Sequence, residues 1–468
     1  IEEWSNKKVF PLLVTATCEF GRHDDPTQIS SSELALTKKD GGAIGLVTAA
    51  RPVNASTNAF LNKAFYEALF TKVDGKHRDL GAVFRETKSK SMNGVSNRNF
   101  SLLGDPSMLL AMPNDEIVAT RISTATGSDT LKALSRIIIE GEIQTQGIKN
   151  VGFNGVVTVT LKDKEFDFNT LGDENPVFTY QERSNTLFRG EATVSNGAFQ
   201  LEFILPKNIA YQVGYGKLSM YAKNNTNNSD AIGGAINFKI GESEIDDGSD
   251  TTSPEIKLYM GDTTFINGGI TSSSTQLVAR LSDTSGINIA NYGIGNNLIA
   301  ILDDDQVFEV GEYYLADQDD FTKGTIIFPI ENLEPGRHTI ELKAWDVYNN
   351  PSSGRVDFVV TDGTQIAIQK LYNYPNPFSN NTTIQFEHNR AGDDLEVFAT
   401  IVDTSGQTIH IINYEVPSSQ YLVTLPEWDG TNTSGTKLGN GLYLLRLVVR
   451  SLLDGSKNEQ ISKLIILN

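Results

Sequence analysis

The sequence of 468 residues contains a single cysteine, Cys18, in the stretch TATCEFGRHDDP (residues 15–26). A thiol attacks carbonyl carbon as its thiolate, so a working cysteine needs a base within hydrogen-bond reach, normally a histidine. The chain has five: His23, His77, His338, His388 and His410. His23 is near in sequence, but that spacing around a turn does not by itself carry an imidazole to the sulfur. His77 lies in the polar stretch VDGKHRDL, and the other three fall far along the chain. The residues alone therefore complete no dyad, and a lone cysteine closing an apolar run also describes a small core hydrophobe without chemistry. Glu19, His23, Asp24 and Asp25 follow the thiol and either line a cleft or form a solvated acidic loop. Arg51 stands just past the next apolar run, where it could reach the same edge. The carboxylate clusters LDDDQ (302–306) and ADQDDF (316–321) could hold calcium, yet neither has EF-hand spacing, and surface acidity is the simpler explanation of both.

Something must position that thiol, and the surrounding pattern is α/β. KVFPLLVTATC is a nearly continuous apolar run ending at Cys18, as expected of a strand buried on both faces of a parallel sheet. SSSELALTKKDGG offers capping serines, a short helix and the glycines Gly41 and Gly42 as a stop. AIGLVTAAR reads as another buried strand. STNAFLNKAFYEALFTKV sets Phe60, Ala64, Phe65, Ala68 and Leu69 on one helical face, and DLGAVFRETKSK is a further helix. Strand, helix, strand, helix predicts a parallel sheet with crossovers, whose functional edge lies at the carboxyl ends of its strands. Cys18 sits at such an end.

From about residue 114 the texture changes to short alternating runs separated by Gly, Asn and Asp, such as NGVVTVTLKD and NGAFQLEFILP, the composition of antiparallel β-sandwiches. The acidic stretch ESEIDDGSDTTSPE (242–255) reads as a linker between two such domains. In LYNYPNPF (371–378), Pro375 and Pro377 exclude helix. The expected segments are 1–113, 114–245, 254–363 and 370–468, the last three being β-sandwiches on an immunoglobulin-like plan.

Lysine and arginine number 39 against 58 acidic residues, a net charge of −19, which would repel phosphate backbones and argues against nucleic acid as a partner. No apolar run reaches the roughly 18 residues of a membrane helix, since candidates such as LYLLRLVVRSLL (442–453) carry arginines. One cysteine permits no internal disulfide, so cysteine usage does not fix the compartment. The opening IEEWSNKKVF has neither methionine nor the features of a signal peptide, and the expectation is the C-terminal part of a longer protein.

Three separated motifs, FPLLVTATCEFGRHDDP, KKDGGAIGLVTAARPV and NRNFSLLGDPSMLLAMP, resemble in order the catalytic domain of the gingipain family of cysteine peptidases. They are most similar to the branch that serves type IX secretion as C-terminal signal peptidase or sortase. The resemblance covers residues 1–113 and implies a caspase-like α/β fold with Cys18 as nucleophile. It also implies a catalytic histidine in a His-Gly-Gly type motif upstream of the cysteine. No such motif occurs in these 468 residues, so this chain alone is expected to be inactive. A second resemblance, to the type A sorting domain of type IX secretion, covers 370–468. Its carriers are LYNYPNPFSNNTTIQF, IVDTSGQTI, PEWDGTNTSGTKLGNGLYLLRL and SKLIIL, with Trp428, Asp429, Gly430, Asn440 to Tyr443 and Lys463 in order.

Together the resemblances imply a cell-surface cysteine endopeptidase, at the outer face of the outer membrane. It would remove sorting domains from secreted cargo proteins and pass the acyl group to water or to a lipopolysaccharide amine, among other type IX surface components and without a required cofactor. Two other readings stand beside it: a surface scaffold with a non-catalytic peptidase-like domain, and a secreted general protease of the gingipain type.

Overall fold

The computed structural model describes residues 1, 4, 6, 9–91, 94–173, 175–245, 250–293, 295–361 and 365–467, without the side chains of 95 and 96. Positions 246–249 of the acidic linker, 362–364 at the end of the third expected segment, and Asn468 lie outside the described residues. The chain divides into two compact units. One is Ile1–Glu116 with Thr145–Ile148 and Ser229–Ala231; the other is Ile117–Gln144, Lys149–Asn228 and Ile232–Asn468.

In the first unit, β1 (Leu12–Val14) pairs in parallel with β2 (Gly45–Ala49), through the register Leu12↔Gly45 and Val14↔Val47. All five residues of β2 are buried, as its unbroken apolar run predicts. β1 departs from expectation: it is three residues long and only half-buried. It is the edge strand of the order β1-β2-β3, covered on one flank only, and the chain leaves the ladder before Cys18.

The crossover from β1 to β2 carries α1 (Ser31–Thr37). Ser30 Oγ accepts the N–H of Glu33 while the Glu33 carboxylate accepts the N–H of Ser30 at 2.8 Å, a reciprocal cap satisfying two of the donors every helix start leaves unpaired. Gly42 then turns the chain with φ of +106°, where an added Cβ would stand 2.1 Å from the carbonyl oxygen of Ala35. Only glycine fits there.

Helices α2 (Ala55–Phe70) and α3 (Leu80–Lys90, capped by Asp79) bury Leu61, Phe65, Ala68, Leu69 and Val83 against Val47, Ala49 and Phe100. Leu61 takes the place expected for Phe60, which is 55% exposed because the stripe 61, 64, 65, 68 turns it off the packed face. The last strand, β3 (Phe100–Gly104), runs antiparallel to β2, against the all-parallel expectation. The reason is local. Ala50 N–H donates to Asn99 O at 2.8 Å, so the chain enters β3 at the edge where β2 ends and must run back along it.

The second unit is built of β-strands, with one short 3-10 turn at Gly311–Tyr313 among its described residues. Gly155–Lys162 pairs antiparallel with both Lys217–Asn224 and Thr186–Val194, and burial alternates strictly along it. Thr186–Val194 meets Tyr314–Asp317 in parallel at Gly190↔Ala316, and the sheet continues through Asp320–Ile330 and Thr275–Ser282 to Glu255–Met260. The stretches on either side of the acidic linker therefore share one sheet. Toward the C-terminus, a sheet of Ile368–Tyr374, Thr383–His388 and Leu422–Thr424 and a second of Thr408–Val416, Leu395–Val402, Gly441–Ser451 and Lys457–Ile466 close on one core. That core includes Ile384, Phe386, Trp428, Leu445 and Leu464. It is tied to the preceding strands where Asp262 accepts the N–H of Tyr421 at 2.6 Å and Thr264 Oγ1 accepts that of Leu422 at 3.0 Å.

Candidate active site

Cys18 lies on a loop pinned at both ends to β2. Thr15 N–H donates to Val47 O and Gly21 N–H to Ala49 O, both at 3.0 Å. Inside these anchors the Thr15 hydroxyl donates to that of Thr48 at 2.8 Å, in a buried position. Gly21 is required where the loop returns, since a Cβ there would stand 2.2 Å from Thr48 Cγ2. Residues 16–19 are thus forced outward, and Glu19 takes a left-handed φ of 58° immediately after the cysteine. The result is an exposed thiol at the carboxyl edge of the parallel pair β1 and β2.

The sulfur is held by the loop that follows β2. Sγ–H donates to Val53 O at 3.3 Å, and Val53 N–H donates to Sγ at 3.5 Å. Both distances are ordinary for sulfur, whose contacts are longer and weaker than those of oxygen. Val53 stands two residues before α2, and its loop is fixed in turn by Asn99 Nδ2, which donates to Pro52 O at 3.0 Å.

The polar residues around the thiol form an ion network. Arg51 Nη2 pairs with Asp24 at 2.6 Å, joining the cysteine loop to the loop that grips the sulfur. Arg22 pairs with Asp25 at 3.2 Å and with Glu19 at 3.4 Å. Asp25 accepts the hydroxyl and N–H of Thr27, and these bonds, more than Arg22 and Arg51, hold its carboxyl below the usual carboxylate range. His23 is exposed, and its Nδ1–H donates to Gly21 O at 2.7 Å. The ring makes no hydrogen bond to the sulfur, whose partners are the backbone groups of Val53.

The other histidines are committed elsewhere. His77 Nε2 donates to Pro113 O at 3.1 Å, and His338 is held between Asp303 and the carbonyl of Glu334. His388 is buried, and His410 packs beside Trp428. Among the described residues, the sulfur's hydrogen-bond partners are the two backbone groups of Val53. The structure therefore pairs Arg51 with Asp24, and Arg22 with Asp25 and Glu19, in the loops at the thiol, and among the described residues no histidine hydrogen-bonds the sulfur. Val53 escaped sequence reasoning because its role is played by backbone groups, which no side-chain motif marks. In 302–306 and 316–321, Asp303 engages His338 and the N–H of Thr339, Asp317 engages Arg280, Asp319 accepts the N–H of Thr193, and Asp320 engages Lys323.

Comparison with known proteins bears on this edge of the sheet. Residues 1–111 match the model for peptidase family C25. The C25 match thus covers β1, β2, β3 and both loops that meet at Cys18, and it assigns this part of the chain a cysteine-peptidase kinship. No curated protein sequence matches the chain. Among solved structures, dimeric latent PorU from Porphyromonas gingivalis matches at 29% identity over 86% of this chain and 39% of its own, with a TM-score of 0.37. The complex of RgpB pro- and mature domains, also from Porphyromonas gingivalis, matches at 15% identity over 50% of this chain and 47% of its own, TM-score 0.20. Fibronectin(III)-like modules of CbhA from Clostridium thermocellum match at 10% identity over 46% of this chain and 93% of theirs, TM-score 0.18. This chain therefore spans well under two thirds of the PorU chain.

Proposed function

We propose that this chain is part of a cell-surface cysteine endopeptidase of the C25 type, with Cys18 as its nucleophile. The observation that supports it most is the exposed thiol at the carboxyl edge of the parallel strand pair, inside the segment that matches family C25. In this reading the first segment is the C-terminal part of a caspase-like domain. The remainder forms three β-sandwich domains, the last being a type A sorting domain that holds the enzyme at the outer membrane.

The chemistry is acyl transfer. Sγ attacks the peptide carbonyl preceding a cargo protein's sorting domain, and a histidine supplied by the upstream part of the protein protonates the leaving amine. The C–N bond breaks and a thioester remains. Water, or an amine of surface lipopolysaccharide, then attacks the thioester carbon and returns the thiol. The backbone N–H of Cys18 would serve the developing oxyanion, and that of Val53, which donates to the sulfur at 3.5 Å, stands beside the attacking atom. Arg51 and Asp24 tie together the two loops that would flank the substrate.

A second reading, a surface scaffold whose peptidase-like segment does no chemistry, is favoured by one observation: no histidine among the described residues hydrogen-bonds the sulfur. The deciding experiment compares the full-length protein with its Cys18→Ala variant for release of sorting domains from secreted cargo. The peptidase reading expects uncleaved cargo in the variant, at unchanged abundance and surface location of the protein itself. Cleavage at the wild-type level would transfer the case to the scaffold.

A further inference from the structure

Asp250, Asp283 and Asp346 each bring one carboxylate oxygen within 4.8 Å of the other two. They come from three separate stretches: the acidic linker, the turn directly after strand Thr275–Ser282, and the turn directly after strand Gly336–Trp345. Asp283 and Asp346 are 7% and 0% exposed, a rare situation for carboxylates that lack a cation. Asp346 accepts two bonds from Asn350, from its N–H at 2.7 Å and its Nδ2 at 2.6 Å. Asp283 Oδ1 accepts the N–H and hydroxyl of Ser285 at 2.8 and 2.7 Å, but its Oδ2 is buried with no partner. Asn350 Nδ2 also donates to Asp250 O at 3.2 Å, drawing the linker backbone onto the cluster.

The charges that act on Asp283 and Asp346 in this group are all of one sign. All three members of the group, Asp250, Asp283 and Asp346, are carboxylates. Buried carboxylates are ordinarily paired or bound to a metal. Asp283 Oδ2, buried and without a partner, belongs to a carboxylate that brings an oxygen within 4.8 Å of two others, and this points to an absent cation.

We propose that Asp250, Asp283 and Asp346 hold a calcium ion that clamps the acidic linker onto the two strand ends beside it. The donor set is all oxygen, which suits a hard cation and not zinc or copper. Calcium accepts several oxygen ligands in flexible geometry, whereas magnesium demands a near-ideal octahedron and keeps several of its waters, so three carboxylates gathered from separate turns suit calcium better. Asp250, half-buried, lies on the accessible side of the cluster.

The test uses the full chain, freed of divalent ions with EGTA and titrated with CaCl2 by calorimetry, alongside melting curves with CaCl2 or MgCl2. Wild type is expected to bind calcium and to melt at a higher temperature in it. Asp250→Asn should weaken that binding by on the order of tenfold or more, since it removes one charged ligand. Asp283→Asn should lose the calcium response and, without metal, melt no lower than the wild type, because the amide removes a buried like charge. A calcium response retained in full by both variants, or no response in wild type, overturns the site; an equal response to MgCl2 overturns the assignment to calcium.

Discussion

Cys18 owes its exposure to two neighbours that do no chemistry, Gly21 and Thr48. Gly21→Ala forces a Cβ to within 2.2 Å of Thr48 Cγ2, an overpacked position expected to cost about 1–3 kcal/mol in urea unfolding. Combining it with Thr48→Ala, which removes that methyl, should recover part of the loss; a double variant no more stable than Gly21→Ala would contradict this account. At the same scale, His388 is held neutral: Nε2–H donates to Gln420 O at 2.8 Å, Nδ1 accepts the N–H of Arg390 at 3.1 Å, and burial pushes its pKa down to about 4. An unfolded imidazole protonates near its ordinary value of about 6.5. As the pH falls, the unfolded chain therefore takes up this proton first. The stability supplied by the neutral ring is complete above about pH 6.5 and is lost between there and about pH 4, about 3 kcal/mol in all. His388→Gln should remove that slope, read as amide-exchange protection of Thr383–His388 at pH about 7 and about 5. A variant as pH-sensitive as wild type would exclude His388 as the source.

The elements behind the site carry unequal burdens. α1 has only seven residues, too short to persist without its cap and its packing, and Ser32 N–H binds Phe20 O at 3.1 Å to tie the helix to the cysteine loop. Ser30→Ala is expected to cost about 1 kcal/mol, whereas Ser30→Asp, which keeps an acceptor at the cap, should cost only a few tenths. In α2, Phe65 is fully buried beneath the sheet, and Phe65→Ala should cost about 3–5 kcal/mol. Phe60→Ala, five residues earlier and exposed, should stay within about 0.5 kcal/mol. Urea unfolding of the four variants decides the ranking, and equal costs at 60 and 65 would refute the assigned helix face.

On the scale of the whole molecule, the β portion behaves as more than a string of beads. Its sheet passes from Thr186–Val194 to Tyr314–Asp317 through Gly190↔Ala316, and Asn185 Oδ1 accepts Asn291 N–H at 3.0 Å while Arg189 donates to Glu312 O at 2.7 Å. A protease site engineered into the 242–255 linker should therefore give a nicked chain whose two pieces co-elute in gel filtration under native conditions. Separation of the pieces would show that the shared sheet does not hold them. Asn389 Nδ2, donating to Thr361 Oγ1 at 2.7 Å, extends similar contacts toward the C-terminal core.

The sequence by itself determined what depends on local order. Period-two runs marked strands such as Gly155–Lys162, the apolar stripe marked α2, the serines at 30–32 marked a helix start, and the single cysteine at the end of an apolar run marked the edge where chemistry would sit. These signals are legible because each arises within a few residues of itself. Contacts across many residues were decided only by the tertiary structure. Val53 meets Cys18 from 35 positions away through backbone atoms that every residue shares. The antiparallel direction of β3 follows from the return of the chain at Asn99, and the Asp250, Asp283 and Asp346 cluster is dispersed among 58 acidic residues until folding gathers it. Backbone groups and like charges look the same everywhere in a sequence; position in space alone tells them apart.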